Sequence, residues 1–395
     1  MMNKLYLHIG TTKTGTTALQ KFLINNKEII EKSGYCYPAY TKTNEAERDY
    51  SFIADDVYKN QNGMRIVDIY IKAFFKTFCR SVSEHGGTSS KDKDLVSTTN
   101  ADFFLMDKKT ADYLFEEINL SDVVEEWDDF IAGINKLLEN SNVIYSSELL
   151  WQVPKQGIKK LYQCFGDRME VIIYMRRQDR LVESYWNEMI SGNLLYAPFE
   201  KFVPLTKQIP NFGWIYDYKL WTDYLESFMK KSSIHIRPFR KTNKDGSHFN
   251  VVRDFLDFAG ISIDPELIKE PVYVNNHLAG MTVEYMRVIC KTLQDIGCDE
   301  KISKKYIDNY LKMSSKITNQ NADDYYFEPE ARVGFLKQFE DYNKYLSEEY
   351  FGGEVFDDEG ATPGKEPSIH TMTKEEEEIF RQNILLSLSA SGLQG

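Results

Sequence analysis

The stretch KLYLHIGTTKTGTTALQ, residues 4–20, decides the fold of this chain. A short apolar strand at 4–9 runs into a loop of Gly, Thr and Lys, and then directly into an amphipathic helix predicted over 16–31. Gly10 and Gly15 allow a tight turn and a close approach of the backbone to a ligand. The loop N–H groups and the positive end of the helix dipole point at one spot, which favours an anion. The predicted anion-binding residues are Lys13, Thr14, Gly15, Thr16 and Thr17.

This loop shares only half of the nucleotide P-loop pattern. It has the GxxxxG spacing, but Thr16 stands where the P-loop requires Lys, and its own lysine is Lys13. A metal-dependent triphosphate enzyme is therefore a poor fit. Residues 13–17 instead resemble the 5'-phosphosulfate loop of sulfotransferases that use 3'-phosphoadenosine 5'-phosphosulfate (PAPS), which reads roughly K-[ST]-G-T-[TS]. On this segment alone, a helix-capping turn with a solvated lysine stays open.

A second strand, basic turn and helix occur at 169–191. The apolar run 169–175 predicts a buried strand, Arg176 follows it, and a helix predicted over 179–191 carries Ser184. An arginine offers a planar fork to phosphate oxygens, and a hydroxyl early in the helix adds a second hydrogen bond. The spacing of Arg176 and Ser184 resembles the 3'-phosphate motif of the same sulfotransferases. The neighbouring Arg177 and Arg180 are equally well explained as surface or ion-pair arginines.

The resemblance covers roughly residues 1–40 and 140–290, and it looks most like the bacterial branch related to carbohydrate sulfotransferases. It implies that PAPS is the donor, that adenosine 3',5'-bisphosphate (PAP) is released, and that no metal is required. It also implies a glycan or glycoconjugate hydroxyl as acceptor. Such a transfer needs charge compensation at the bridging oxygen, a base and in-line positioning. Lys13 suits the first task.

Glu148 is the best candidate for the base, because it follows a predicted strand at 142–146. Open α/β sheets bind ligands beyond the carboxyl ends of their strands. The resemblance also implies a catalytic Glu after the corresponding strand. A carboxylate that complements a helix dipole is the alternative for Glu148. His8 and His277 are the other possible bases, and His8, inside the first strand, is better explained as a buried histidine of the core.

The alternation of strands and helices predicts an α/β, P-loop-like, three-layer α/β/α fold with a central, mostly parallel sheet. One sulfotransferase-like domain is expected over 1–350, with a helical insertion on the acceptor side at 41–135. A helical part is expected from about 282. Residues 351–395 are acidic, and a loosely held tail or a docking helix is expected there. The predicted elements are strands 4–9, 142–146, 169–175 and 233–237, and helices 16–31, 154–164, 179–191 and 248–259.

Composition bounds the partners. The 395 residues, 42% of them hydrophobic, are enough for one large core. The net charge of −12 argues against a general nucleic-acid or anionic-membrane surface. No apolar run is long enough for a membrane span and no signal peptide is visible, so a cytoplasmic enzyme is expected. The five cysteines form no CxxC pair, which disfavours a zinc site or a disulfide framework. The oligomeric state is left open.

Three other functions remain beside a glycan sulfotransferase. The same chemistry on a small hydroxylated lipid or phenol is one, and a P-loop nucleotide kinase is another. The last is a non-catalytic nucleotide-binding module that kept the anion-binding loop and lost the chemistry. A kinase would demand Mg²⁺ and the missing P-loop lysine, whereas a non-catalytic module would tolerate the loss of Glu148.

Overall fold

The computed structural model describes residues 2–11, 13–38, 124–147, 150, 155–192, 195–208, 216–240, 249–264, 281–317, 326–354, 356 and 371–390. The strands are β1 Leu5–Ile9, β2 Tyr35–Cys36, β3 Asn142–Ser147, β4 Met169–Met175 and β5 Ile234–Pro238. The helices are α1 Thr16–Asn25, α2 Lys27–Lys32, α3 Val124–Leu138, α4 Lys155–Phe165, α5 Gln178–Ser191, α6 Phe199–Gln208, α7 Tyr218–Glu226, α8 Val251–Ala259, α9 Thr282–Asp295, α10 Glu300–Ile317, α11 Pro329–Lys337, α12 Glu340–Glu349 and α13 Lys374–Ala390.

A single five-stranded sheet in the order β2-β3-β1-β4-β5 forms the centre of the described structure. Each neighbouring pair of strands is parallel, and β1 is flanked by β3 and β4, with Ile9 level with Ser147 and Ile173. This confirms the predicted α/β fold with a parallel sheet. Because every strand points the same way, the ends of β1, β3, β4 and β5 lie at one edge of the sheet, which we call the carboxyl edge.

The sheet is covered on both faces, as three layers require. Successive side chains of a strand face opposite sides, so β1 splits between two cores. Leu7 and Ile9 belong to a large core with helices α3 to α5, α7 and the C-terminal helices. Tyr6 belongs to a smaller core with residues of α1, α2 and α8. Burial of the strands on both faces explains why β1 and β4 have near-continuous apolar sequences.

Some elements differ from the predicted ones. The helix predicted over 16–31 is two helices, α1 and α2, joined at Asn26, whose φ of −111° departs from helical geometry. The Asn26 side-chain amide donates to the Phe22 carbonyl at 2.9 Å, which satisfies one acceptor at the end of α1. The two-residue edge strand β2 and the helices α6 and α7 carried no clear sequence signal and were not predicted.

Most of the described residues after 281 are helical. In the segment expected as a loose tail or a docking helix, α13 buries Ile384 and Leu388. Arg287 on α9 binds Glu284 of its own helix and Glu377 of α13, so a buried arginine joins the two helices. Most of the predicted 41–135 insertion lies outside the described residues, which resume with α3. In the parts of the chain that the structure describes, no helix combines the length and apolar character needed to cross a bilayer.

Candidate nucleotide site at the carboxyl edge of the sheet

The first corner of the site is the loop between β1 and α1, residues 10–15. The Gly10 N–H donates to the Ser147 carbonyl of β3 at 3.0 Å, and the Thr11 hydroxyl donates to the Tyr174 carbonyl of β4 at 2.7 Å. The buried Thr14 hydroxyl donates to the Thr11 carbonyl at 2.7 Å. The loop is therefore fastened to both neighbours of β1 before α1 begins.

Two loop residues adopt left-handed backbone conformations, Lys13 with φ of 61° and Gly15 with φ of 77°. Lys13 is the single non-glycine residue with positive φ among the described residues. Such a conformation costs a side-chain-bearing residue energy, and it occurs often at functional sites. The two turns wind the loop tightly at the start of α1, where helix N–H groups have no partners within the helix.

The loop is closely packed at its two glycines and carries a polar atom that could bind an anion. A Cβ atom at Gly10 would lie 2.5 Å from the Thr16 Oγ1, so only glycine fits beneath the first residue of α1. At Gly15 a Cβ would lie 2.8 Å from Val251. Thr16 is fully buried, and its hydroxyl has no hydrogen-bond partner among the described residues. Buried hydroxyls are normally paired, so this one fits a ligand phosphate oxygen at the helix N-terminus.

The second corner lies between β4 and α5 and begins with Arg176. Its backbone carbonyl accepts a hydrogen bond from the Tyr218 hydroxyl of α7. The Arg176 guanidinium carbon lies 5.7 Å from the centre of the Phe239 ring, a cation–π contact. Phe239 follows β5, and its N–H donates to the Met175 carbonyl at 2.7 Å. Arg176 is partly exposed.

The structure brings the two corners together. A Cβ at Gly15 would lie 3.3 Å from the Phe239 ring, so the ring under Arg176 also abuts the first loop. Lys13 reaches α5 directly, because its Nζ lies 3.9 Å from the Glu188 Oε1. Glu188 is one helical turn after the partly exposed Ser184, so both are on the face that the loop approaches. The sequence-predicted residues of both motifs therefore share one edge.

Arg177 and Arg180 do not belong to this surface. Arg177 binds Asp179 with two hydrogen bonds of 2.7 and 2.9 Å, and Arg180 binds Glu183 at 2.6 Å. Arg332 of α11 lies 2.8 Å from Glu183 and 3.6 Å from Asp179. We call these five buried residues the ionic network. Arg176 therefore lies at the site, while the next residue, Arg177, anchors α5. For Arg177 and Arg180 the structure supports the explanation as ion-pair arginines.

The candidate bases are placed differently. Glu148 and His277 lie outside the described residues. The residue before Glu148, Ser147, ends β3 beside Gly10. His8 is fully buried, its Nδ1 lies 2.8 Å from the Ser146 hydroxyl, and the Gln20 amide donates to that hydroxyl at 3.2 Å. Burial lowers the pKa of His8 to about 3, so the ring is neutral and belongs to the core beneath the loop.

The arginines at the end of β5 and just after it form ion pairs. Arg237 binds the Asp254 carboxylate of α8, and Arg240 binds Glu354. Asp254 also accepts a hydrogen bond from the Tyr174 hydroxyl at 2.8 Å. These two arginines therefore fasten β5 and the residues after it to their surroundings, and Phe239, between them in sequence, contacts both corners.

Sequence reasoning missed Phe239 and Glu188. Nothing in the sequence places Phe239 against Gly15. Glu188 carried a usable signal, because residues four apart on a helix are neighbours and Ser184 was already singled out. Its partner Lys13 is in a separate segment of the chain and was not predictable from that spacing.

Comparisons with known proteins give distant similarities. No protein-family model matches the chain. An uncharacterised protein of Archaeoglobus fulgidus is 27% identical over 212 residues, 53% of this chain and 54% of that protein, so the match spans about half the length of this curated relative. A crystal structure of a sulfotransferase from Alicyclobacillus acidocaldarius is 12% identical, with a TM-score of 0.32, and covers 77% of this chain and 99% of that one. A sulfotransferase domain from the curacin biosynthetic pathway is 11% identical, with a TM-score of 0.32. This match covers 72% of this chain and 82% of that domain.

Proposed function

We propose that the protein is a sulfotransferase that transfers a sulfuryl group from PAPS to a hydroxyl of a glycan or glycoconjugate and releases PAP. The proposal rests on the residues of the chain and on the resemblance of residues 13–17, and of Arg176 with Ser184, to the two phosphate motifs of PAPS-dependent enzymes. The donor carries a phosphate group at each end of its ribose, so it needs two anion sites at one surface.

The observation that carries this proposal is the meeting of the two corners at the carboxyl edge. Phe239 abuts Gly15 and lies under Arg176, and Lys13 reaches across to the helix of Ser184. Two strand-to-helix corners that are distant in sequence therefore contact each other at one edge of the sheet, which supports a shared nucleotide site. A nucleotide with a single phosphate chain would use the first corner and leave Arg176 without a role.

Each residue has a distinct part in this reaction. The loop N–H groups, Thr16 and the start of α1 would hold the 5'-phosphate, while Arg176 and Ser184 would hold the 3'-phosphate. When bound, PAPS supplies the sulfuryl group and a phosphate leaving group. Lys13, whose side chain is 40% exposed, would compensate the charge that develops on the leaving oxygen. Glu148 is the proposed base for the acceptor hydroxyl.

The competing functions differ in what they require. A P-loop kinase needs a lysine where this chain has the buried Thr16. We propose that no metal is needed, because a sulfuryl group carries less charge than a phosphoryl group, and Lys13 with the backbone donors would compensate it. A glycan acceptor is proposed from the resemblance to the carbohydrate branch, and a small hydroxylated lipid or phenol is the second candidate. We further propose a cytoplasmic location and a single catalytic domain over residues 1–350.

Two measurements test the proposal. Calorimetric titration with PAP, ATP and ADP, with and without Mg²⁺, should show PAP as the tightest ligand and no effect of the metal. Transfer from labelled PAPS should then be screened against carbohydrate, sterol and phenol acceptors, with Glu148→Gln as the variant that keeps PAP affinity and loses transfer. Tight, Mg²⁺-dependent ATP binding without PAP binding would replace the proposal with a kinase. PAP binding with no transfer to any acceptor would leave a non-catalytic module.

A further inference from the structure

Glu188 places a negative charge inside a site built to bind anions. Its Oε1 lies 3.9 Å from the Lys13 Nζ, and the two side chains are 42% and 40% exposed. Its other oxygen, Oε2, is buried and has no hydrogen-bond partner among the described residues. The carboxylate is therefore turned toward the loop, and no other described contact satisfies it.

The surroundings of Glu188 include a buried phenol on its own helix and the loop lysine. Tyr185, three residues earlier on α5, packs against Phe202 at a ring distance of 6.3 Å. Burial, and then the nearby Glu188 charge, raise the pKa of Tyr185, so the phenol stays neutral next to the carboxylate. On the other side, Lys13 has a left-handed backbone conformation, and its side chain extends from the loop to α5.

The distance between the Lys13 Nζ and the Glu188 Oε1 matters for the role of this ion pair. At 3.9 Å the ammonium and the carboxylate attract each other, but the distance exceeds that of an ordinary hydrogen bond. Lys13 therefore keeps its donors for an incoming oxygen, while its charge is already partly compensated. A bound phosphate would have to compete with this carboxylate for the lysine.

We propose that Glu188 is a counter-ion of Lys13 that lowers the affinity of the site for the phosphate end of the nucleotide. Glu188 is thus a positioning residue that acts through Lys13, and this inference rests on the proposed function. Its consequence is weaker retention of PAP after transfer, which matters when one site must bind the donor and release a product with the same two phosphate groups.

The test is a double-mutant cycle with PAP as the probe, measured by calorimetry on the full chain. Glu188→Gln should tighten PAP binding about three- to tenfold, since the Lys13 charge is then no longer partly compensated by a nearby carboxylate. In a Lys13→Gln background the same change should alter PAP affinity less than about twofold. Raising the salt concentration should shrink the difference between wild type and Glu188→Gln, because partly exposed charges are screened.

Glu31→Gln is the matched control. Glu31 pairs with Lys27 at 3.7 Å with exposed fractions of 47% and 46%, and the pair lies on α2, at the opposite end of α1 from the loop. Glu31→Gln removes one negative charge from a similar ion pair, as Glu188→Gln does, and should leave PAP affinity unchanged. Unaltered PAP affinity in Glu188→Gln would overturn the inference, as would an equal gain in both lysine backgrounds, which would mean direct repulsion. A wild type that fails to bind PAP would instead overturn the proposed function.

Discussion

The two corners of the site are built in different ways. The β1–α1 corner is shaped by its backbone: positive φ angles at Lys13 and Gly15, a glycine under Thr16, and neutral polar groups beneath, centred on His8. The β4–α5 corner is held by charge, through the ionic network that anchors α5 behind Arg176. The first corner therefore tolerates little change of shape, and the second little change of charge.

This difference explains how the partly exposed cation of each corner, Lys13 or Arg176, is held in position. Lys13 extends from a loop whose conformation is fixed by close packing, and its described ion pair, with Glu188, is partly exposed. Arg176 precedes a helix whose first turns contain Asp179 and Glu183, both buried and both bound to arginines. Without those partners the start of α5 would carry unpaired buried charges, which are costly.

The largest expected effect is on the charged corner. Arg332 lies on α11 and contacts both Glu183 and Asp179 of α5. Arg332→Met removes these contacts and should lower the free energy of unfolding by about 3 kcal/mol, measured by urea denaturation. Arg381→Met is the control, because Arg381 pairs with Asp295 at 3.2 Å in an exposed setting and should cost less than about 1 kcal/mol. Equal losses in the two variants would mean that the ionic network does not anchor α5.

A smaller effect is expected at the corner shaped by its backbone. Gly15→Ala combines a left-handed backbone with a Cβ 2.8 Å from Val251, and it should cost about 2 kcal/mol of stability. It should also weaken PAP binding, because the loop must move. Gly260→Ala is the matched control, because Gly260 has a similar φ of 70° but open space around it. It should lower the free energy of unfolding by about 1 kcal/mol. Retention of PAP affinity in Gly15→Ala would contradict the role of close packing.

The smallest effect concerns the neutral groups beneath the first corner. The pKa of His8 is lowered to about 3 in the folded chain, so the unfolded chain binds more protons below its ordinary pKa of 6.5. Stability from this group is complete above pH 6.5 and is lost as the pH falls toward 3. Between about pH 7 and about pH 5.5 the loss should be about 1.3 kcal/mol. Chemical denaturation should show a flatter pH dependence in His8→Asn, and an unchanged slope would assign the loss to another group.

Local patterns in the sequence predict the strand-to-loop part of both corners. The strand at 169–175 was predicted with the bounds of β4, because an apolar run between polar turns reports a strand buried on both faces. The Gly, Thr and Lys pattern of residues 10–17 likewise predicts a loop from the local sequence alone. Such local signals also gave the fold class, since they alternate along the sequence.

Contacts between distant segments were not predictable. No pattern near Glu183 names Arg332 as its partner, and no spacing relates Phe239 to Gly15 or Lys13 to Glu188. The left-handed conformation of Lys13 is also set by the packing around it, since residues with side chains avoid it on their own. The break at Asn26 was missed because α1 and α2 continue each other's apolar pattern closely enough to read as one helix.

The central claim is that both corners bind the same nucleotide, and calorimetry with two ligands tests it most directly. PAP has the 3'-phosphate that Arg176 is proposed to bind, and adenosine 5'-monophosphate lacks it. Wild type should prefer PAP, and Arg176→Ala should lose about 1.5–3 kcal/mol of PAP affinity while its affinity for the monophosphate changes less than about twofold. A variant that weakens both ligands equally, or a wild type that does not distinguish them, would contradict the shared site.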